Sequence, residues 1–71
     1  MEKTIDITLE ELDLSVRSYN CLKRAGINGL EDLMSKTYEE ICSVRNMHPK
    51  CVQEIIYKMA IWGVGFKESD N

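Results

Sequence analysis

Arg17 and Asn20 are the residues of this 71-residue chain whose types and spacing best suit binding chemistry. They lie three positions apart, and a helix brings side chains at that spacing to one face. Arginine and asparagine can hold phosphates and base edges together in the minor groove of a duplex. Lys50 is a further candidate for a phosphate contact. The alternative is that all three lie on an ordinary solvated helix surface, and the residues alone leave both interpretations open.

The three cysteines and the single histidine form a second candidate site. Structural zinc ligands usually come in close pairs on turns, whereas Cys21 and Cys42 are expected inside helices, where cysteine is a small buried apolar side chain. A site joining them to His48 and Cys51 is therefore not expected, and we predict no metal. An odd cysteine count without a CxxC pair is typical of reduced thiols in a cytosol, so we predict no disulfide.

His48 and Cys51, also three positions apart, have the types of a base and a nucleophile. The sequence offers no third orienting group and no glycine-rich oxyanion loop, and a chain of this length makes a poor enclosed pocket. A histidine N-cap and a partly exposed thiol are expected instead. We predict no catalytic residue and no cofactor.

Acidic residues form two groups, with Glu10, Glu11 and Asp13 in the first and Glu39 and Glu40 in the second. Paired carboxylates can do acid–base work, but carboxylates in the first turn of a helix are also favoured by the helix macrodipole. Exposed carboxylates can in addition meet a basic partner. We expect helix-start acids or a docking surface, and no catalytic pair.

The aromatic residues near the end of the chain, Tyr57, Trp62 and Phe66, are the types that stack on unpaired bases. Their position at the end of the last helix predicts instead that they close the core.

The net charge of −3 conceals an asymmetry along the chain. Residues 1–14 hold one lysine against five acids, whereas residues 15–58 hold seven basic residues against five acids. Any basic patch must therefore lie on the helical body. No apolar run reaches transmembrane length and the N-terminus has no secretory apolar region, so no membrane partner is expected. A methionine start suits either a complete small protein or a trimmed piece of a longer one.

Helix start and stop signals divide the chain into short helices. Capping boxes are predicted at three places, namely Thr8 with Glu11, Asn28 with Glu31, and Thr37 with Glu40. Ser15 is the predicted N-cap of a helix that runs to about Ala25 and stops at Gly26. His48 is the predicted N-cap of the last helix, which begins at Pro49.

The last helix has the clearest helical periodicity, in Val52, Ile55, Ile56, Met59 and Ala60, and no segment alternates with a period of two. We predict an all-α fold, a compact bundle of four to five short helices with a helix-hairpin-helix-like element near residues 44–50. One domain spans residues 1–71, with flexible tails at 1–6 and 67–71. The predicted core contains Leu22, Leu33, Ile41, Val52, Ile55, Ile56 and Met59.

The run from Leu12 to Lys23 resembles the start of the C-terminal domain of the bacterial RNA polymerase alpha subunit, and the resemblance extends from about Ile7 to Phe66. Residues 18–28, Ser-Tyr-Asn-Cys-Leu-Lys-Arg-Ala-Gly-Ile-Asn, form a long specific match, and Val44-Arg45-Asn46 also fits. The resemblance implies a module tethered by a linker to the polymerase. Such a module binds A/T-rich upstream promoter DNA in the minor groove and docks the sigma factor and activators.

The resemblance also assigns residues. The family's principal DNA arginine falls on Arg17. Its other DNA positions fall on Leu14, Asn20 and Cys21 in a first segment and on Asn46, Lys50 and Cys51 in a second, with an orienting acid at Glu54. Its sigma-facing acids fall on Glu11 and Asp13, and its activator-facing patch falls on Thr37, Tyr38, Glu39 and Glu40.

One segment departs from the family pattern, which continues after the asparagine as Leu-Gly-basic-Lys-Ser, whereas this chain has Met47-His48-Pro49-Lys50-Cys51. The family glycine lets the backbone approach a phosphate, and His48 adds bulk there. Pro49 removes an amide and a basic side chain, and cysteine is a weaker donor than serine. We expect this half of the DNA site to be weakened, unless a charged His48 contacts a phosphate instead.

The predicted function is a DNA-binding and protein-docking domain of the alpha-subunit type in the bacterial cytoplasm. Its expected partners are double-stranded A/T-rich DNA and RNA polymerase, sigma factor or transcription regulators, with no small-molecule ligand. The alternative is a protein-docking module that has lost productive DNA binding.

Overall fold

A computed structural model describes residues 6–68, which form five short helical elements. The elements are a 3₁₀ helix at Leu9–Leu12, α1 at Val16–Arg24, α2 at Leu30–Met34, α3 at Tyr38–Cys42 and α4 at Pro49–Ile61. This described region contains no strand, only isolated bridges that pair Thr8 with Gly29 and Thr37 with Lys67. The all-α prediction is confirmed. No helix among these residues is long and apolar enough to cross a membrane.

Side chains next to the helix starts explain where most of the helices begin. The Ser15 hydroxyl accepts the Ser18 N–H at 3.4 Å at the start of α1. At the start of α3 the Thr37 hydroxyl accepts the Glu40 N–H at 3.1 Å, while Glu40 Oε1 accepts the Thr37 N–H at 2.9 Å. These contacts confirm the predicted N-cap and capping box, and His48 caps α4 as predicted.

The start of α2 corrects a prediction, because Gly29 and not Asn28 is its N-cap. The Asn28 N–H donates to Asp32 Oδ2 at 2.9 Å, so Glu31 takes no part. The cause is a tertiary contact, since the Leu30 N–H donates to the Ile7 carbonyl at 2.8 Å. A Cβ at Gly29 would lie 2.5 Å from that carbonyl oxygen, so only glycine permits this approach.

One buried apolar cluster joins all five elements; it consists of Leu9, Leu12, Leu22, Ile27, Leu30, Leu33, Ile41, Val52, Ile55 and Met59. The predicted core is confirmed except at Ile56, which is 41% exposed. The reason is that α4 packs on α1 and α3 through one face only. The side chains at 52, 55 and 59 face the cluster, and Ile56 and Ala60 lie outside this narrower stripe.

The aromatic residues of the C-terminal part only partly close the core. Phe66 packs against the buried cluster, but Tyr57 is 65% exposed and Trp62 is 46% exposed, so the prediction is wrong for these two. The predicted tails lie largely outside the described residues. At Lys67, which the prediction assigns to the C-terminal tail, the N–H donates to the Lys36 carbonyl at 2.8 Å.

The connection between α3 and α4 supplies the helix-hairpin-helix-like element. The Met47 N–H donates to the Val44 carbonyl at 3.0 Å and closes the turn. Asn46 takes a left-handed conformation with φ of 65°, which asparagine tolerates better than most residues. The turn places Val44, Arg45 and Asn46 beside α1.

Candidate nucleic-acid interface

Arg17 and Asn20 lie exposed on α1, as the sequence predicted for a DNA-contacting pair. Arg17 sits in the first turn of the helix, two residues after the N-cap Ser15. Its guanidinium makes no hydrogen bond and no ion pair with any of residues 6–68. An unpaired guanidinium on a helix of fixed direction is available for an external acceptor.

The second predicted segment lies against the first. The thiol of Cys21 on α1 donates to the carbonyl of Asn46 in the α3–α4 turn at 3.3 Å. Asn46 and Lys50 are both exposed. The fold thus brings the Arg17 segment and the Lys50 segment onto one side of the molecule, although they are distant along the chain.

Glu54, a half-buried residue of α4, joins the helix of the second segment to the start of α1. Its carboxylate accepts hydrogen bonds from the Ser15 N–H at 2.6 Å, the Ser15 hydroxyl at 2.8 Å and the Ser18 hydroxyl at 2.6 Å. Ser18 is the buried polar residue of the described region, with no exposed surface. The predicted orienting acid therefore orients the start of α1, which carries Arg17.

Ionisation of Glu54 is favoured by these contacts. Partial burial opposes the charged form, but the hydrogen bonds from Ser18 and Ser15 outweigh it and hold the pKa of Glu54 below its ordinary value. The carboxylate is therefore charged at neutral pH and accepts all three donors at once.

Three of the predicted DNA positions have side chains that are buried or partly buried. Cys21 is 6% exposed and Cys51 is 4% exposed, while Leu14 packs against the core. The expectation of a partly exposed thiol at Cys51 is wrong, because α4 turns this residue toward the body of the domain. The expectation of a buried Cys42 is also wrong, since its thiol is exposed on α3.

The side chain of His48 caps the start of α4. Its Nδ1 accepts the Lys50 N–H at 3.2 Å, and Pro49 occupies the first position of the helix. A charged imidazole has no acceptor nitrogen, so a charged His48 that contacted a phosphate would lose this cap. The two roles compete.

The acidic residues of the N-terminal part lie on the surface. Glu11 is exposed, and the Asp13 side chain is 96% exposed with Lys58 Nζ 3.9 Å away. The Tyr19 hydroxyl donates to Glu10 Oε2 at 2.5 Å. This bond lowers the pKa of Glu10 and raises the pKa of Tyr19, and it fixes the acidic 3₁₀ helix to α1, a contact that sequence reasoning missed.

The predicted activator-facing patch forms the start of α3. Tyr38 is 51% exposed, with its ring centroid 6.5 Å from that of Phe66. A hydrogen bond with Cys42 raises the pKa of Tyr38. The Thr37 N–H lowers the pKa of the exposed Glu40, and Glu39 beside it is also exposed.

Two arginines that sequence reasoning left out also reach this side of the molecule. Arg24 and Arg45 line a cleft of about 500 Å³ between α1 and the α3–α4 turn. The sequence does indicate that Arg24 shares a helix face with Arg17, because the two residues lie seven positions apart. No sequence signal places Arg45 opposite it.

Ligands for a metal do not converge in the described region. No group of three or more histidine, cysteine, aspartate or glutamate residues within 6–68 could hold an ion. The four side chains considered for zinc are dispersed, with Cys42 exposed and His48 used as a cap.

Comparison with known proteins identifies similar sequences and a similar fold. The family of C-terminal domains of the bacterial RNA polymerase alpha chain matches residues 1–60. The DNA-directed RNA polymerase subunit alpha of Desulfitobacterium hafniense (strain DSM 10664 / DCB-2) is 50% identical over 70 residues, which are 99% of this chain and 22% of that protein. The same subunit of Symbiobacterium thermophilum is 52% identical over 69 residues, 97% of this chain and 22% of that protein. The chain therefore spans 22% of the length of both relatives.

A solved structure has the same arrangement of helices. The NMR structure of the C-terminal domain of the RNA polymerase alpha subunit from Helicobacter pylori superposes with a TM-score of 0.78 at 33% identity, covering 84% of this chain and 53% of that one.

Proposed function

Because this chain belongs to the family of C-terminal domains of the bacterial RNA polymerase alpha subunit, we propose that it binds A/T-rich promoter DNA in the minor groove through Arg17 and joins that DNA to transcription proteins. The family's domain is a DNA-binding and docking module without catalysis of its own, so the chain is not an enzyme by itself. The polymerase, in the bacterial cytoplasm, is the proposed partner of the domain.

The observation that carries the proposal is the state of Arg17. Its guanidinium is exposed and unpaired within the described residues, and the helix that bears it is held at its first turn by Glu54. A narrow A/T-rich minor groove has an enhanced negative potential that attracts an inserted arginine. Because the helix backbone is already held in place, only the side chain of Arg17 has to be ordered when it enters such a groove.

The second segment supports a phosphate contact beside the groove. Asn46 and Lys50 are exposed next to α1, and a lysine near a phosphate contributes affinity that does not depend on sequence. We assign Arg17 and Asn20 to the groove and Lys50 with Asn46 to the backbone. Glu11 and Asp13 would meet a basic surface of the sigma factor, and Thr37, Tyr38, Glu39 and Glu40 would meet activators.

Fluorescence anisotropy with an A/T-rich and a G/C-rich duplex, at two salt concentrations, tests the DNA contact. Arg17→Ala is expected to lose about ten- to hundredfold affinity for the A/T-rich duplex. Arg17→Lys is expected to lose nearly as much, because lysine lacks the planar fork of donors. Lys67→Ala is the control, since it removes one positive charge at an exposed residue outside both segments. Equal affinity of wild type and Arg17→Ala would contradict the proposal.

A protein-docking module without productive DNA binding is the second candidate, and the start of α4 favours it. Pro49 has no N–H to give a phosphate, His48 is used as a cap, and Cys51 is buried. If this candidate holds, wild type shows no salt-dependent affinity for either duplex and still binds a sigma DNA-binding region.

A further inference from the structure

We propose that the cleft between α1 and the α3–α4 turn is a phosphate-binding site, in which Arg24 and Arg45 clamp the sugar–phosphate backbone beside the groove that Arg17 enters. The inference rests on the proposed function, since the ligand is the same duplex. It adds Arg24 and Arg45, to which the family resemblance assigns no DNA contact, to a cleft whose walls include the assigned positions Cys21 and Asn46.

The lining of the cleft suits an anion. Its volume is about 500 Å³, and its walls are Cys21, Arg24, Ala25, Val44, Arg45 and Asn46. Both charged residues in this set are arginines, and the lining contains no carboxylate. A cleft lined by one sign of charge raises the local concentration of the opposite charge.

The two arginines have no acceptor within the described part of the protein. Both are exposed, and neither makes a hydrogen bond or an ion pair with another residue of the stretch 6–68. They belong to different elements, because Arg24 ends α1 and Arg45 lies in the turn before α4. A phosphate that reaches both guanidinium groups would give each fork of donors an acceptor.

The position of the cleft relative to Arg17 points to the backbone of the duplex. Arg24 lies seven residues after Arg17 on the same face of α1, which at about 1.5 Å of rise per residue is about 10 Å. The minor groove of B-DNA is about 6 Å wide. With Arg17 in the groove, a side chain that starts about 10 Å further along the helix axis lies beyond the groove edge, within reach of the phosphates.

Neighbouring acids indicate on which side of the cleft the duplex is expected. An adjoining cleft shares Ala25 and Val44 with the first and is lined by two acids, Glu39 and Glu40 on α3, against one lysine, Lys36. Hydrogen bonding to the Thr37 N–H lowers the pKa of Glu40 and keeps it charged. The duplex is therefore expected on the Asn46 side of the cleft, away from α3.

The test is a salt titration of DNA binding with Arg24→Ala, Arg45→Ala and the double variant, on both duplexes. Each single variant is expected to weaken binding by the same factor on A/T-rich and G/C-rich DNA. Each should also reduce the slope of log affinity against log salt by about one unit. Lys67→Ala is the charge-matched control, and Arg45→Lys should keep the slope because it keeps the charge. Thermal melting separates a folding defect from a lost contact.

The outcomes separate this inference from the proposed function. If Arg17→Ala loses affinity while the double variant keeps wild-type affinity and slope, the cleft assignment is overturned and the groove contact stands. If Arg24→Ala lowers only the melting temperature, Arg24 acts on the C-terminus of α1 and the clamp is also overturned.

A second measurement distinguishes DNA phosphates from a free phosphate ligand. NMR resonances of the Arg24 and Arg45 guanidinium N–H groups are followed during titration with duplex and, separately, with inorganic tripolyphosphate. Shifts with duplex and none with tripolyphosphate at equal phosphate concentration support the clamp. Shifts with tripolyphosphate and none with duplex overturn it.

Discussion

The carboxylate of Glu54 accepts two hydrogen bonds from Ser15, which lies 39 positions earlier in the chain. One comes from the Ser15 N–H at 2.6 Å and the other from the Ser15 hydroxyl at 2.8 Å. Ser15 is the N-cap of α1, and Glu54 lies in the second turn of α4. The pair fixes the start of the helix that carries Arg17 against the helix that carries Lys50. Together with the Cys21–Asn46 hydrogen bond and the shared core, this carboxylate sets the relative position of the two candidate DNA segments.

Substitution of Glu54 by glutamine is expected to lower the free energy of unfolding by about 1–3 kcal/mol, because an amide oxygen replaces a charged acceptor and its NH₂ group faces donors. Urea denaturation measures this. Glu31→Gln, at an exposed carboxylate on α2, is the control and should change stability little. Glu54→Gln should also weaken DNA binding with Arg17 intact; unchanged stability and binding would contradict the role given to Glu54.

The same pair predicts a dependence of stability on pH. The pKa of Glu54 in the folded state lies below its ordinary value of 4.5. A carboxyl group whose pKa is lower in the folded than in the unfolded state stabilises the fold at pH values above its unfolded-state pKa. This contribution to stability is lost as the pH falls through the folded-state pKa. The stability difference between wild type and Glu54→Gln should be constant near neutral pH and shrink below pH 4.5. A difference that grows on acidification would contradict the assignment.

Ile55 and Ile56 form a matched pair on α4, with 0% and 41% of their surface exposed. Ile55→Ala is expected to cost about 2–5 kcal/mol, because it leaves a cavity in the core. Ile56→Ala should cost under about 1 kcal/mol, since much of the removed surface is solvated already. Thermal melting followed by circular dichroism compares the two. Equal losses would contradict the core as described.

The segment before α4 predicts a gain of function. The double substitution His48→Gly and Pro49→Lys restores an amide, a positive charge and close approach of the backbone to a phosphate. Affinity for both duplexes should rise and the salt slope should steepen by about one unit. Because His48 caps α4, melting of the variant is measured alongside binding. A stable variant with unchanged affinity would exclude a phosphate contact at this helix start.

Substitutions in the acidic 3₁₀ helix are expected to change protein docking without weakening DNA binding. The charge reversals Glu11→Lys and Asp13→Lys should abolish binding to a sigma DNA-binding region while DNA affinity stays the same or rises. Asp13 is 96% exposed, so the loss of its charge alone should change stability by less than about 1 kcal/mol. Pull-down or calorimetric titration with the sigma region measures this. Undiminished binding by the double variant would remove the sigma assignment.

Because the cysteines are dispersed, we expect the stability of the domain not to depend on a bound metal. Excess chelator should leave the melting temperature unchanged, because no cluster of potential ligands forms within residues 6–68 and a structural zinc would contribute to folding directly. Elemental analysis of protein purified without added metal is the second measurement. Stoichiometric zinc together with a drop in melting temperature on chelation would overturn the prediction.

Local signals in the sequence determined most of the helix boundaries. The caps at Ser15, Thr37 and His48 were all predicted correctly, because a cap is a contact between residues two or three positions apart. The buried stripe of α4 was largely predicted for the same reason, since helical periodicity depends only on neighbouring turns. The exposed pair of Arg17 and Asn20 follows from the spacing of the first helix.

Contacts between distant parts of the chain decided the rest. The second helix begins at Gly29 because the backbone of Ile7 approaches it there. Ile56 is outside the core, Cys51 is inside and Cys42 is exposed, since the packing of α4 against α1 and α3 selects which faces are covered. The cleft between Arg24 and Arg45 likewise exists only once the α3–α4 turn lies beside α1. Periodicity shows which residues share a helix face, but only the folded chain brings residues of different helices together.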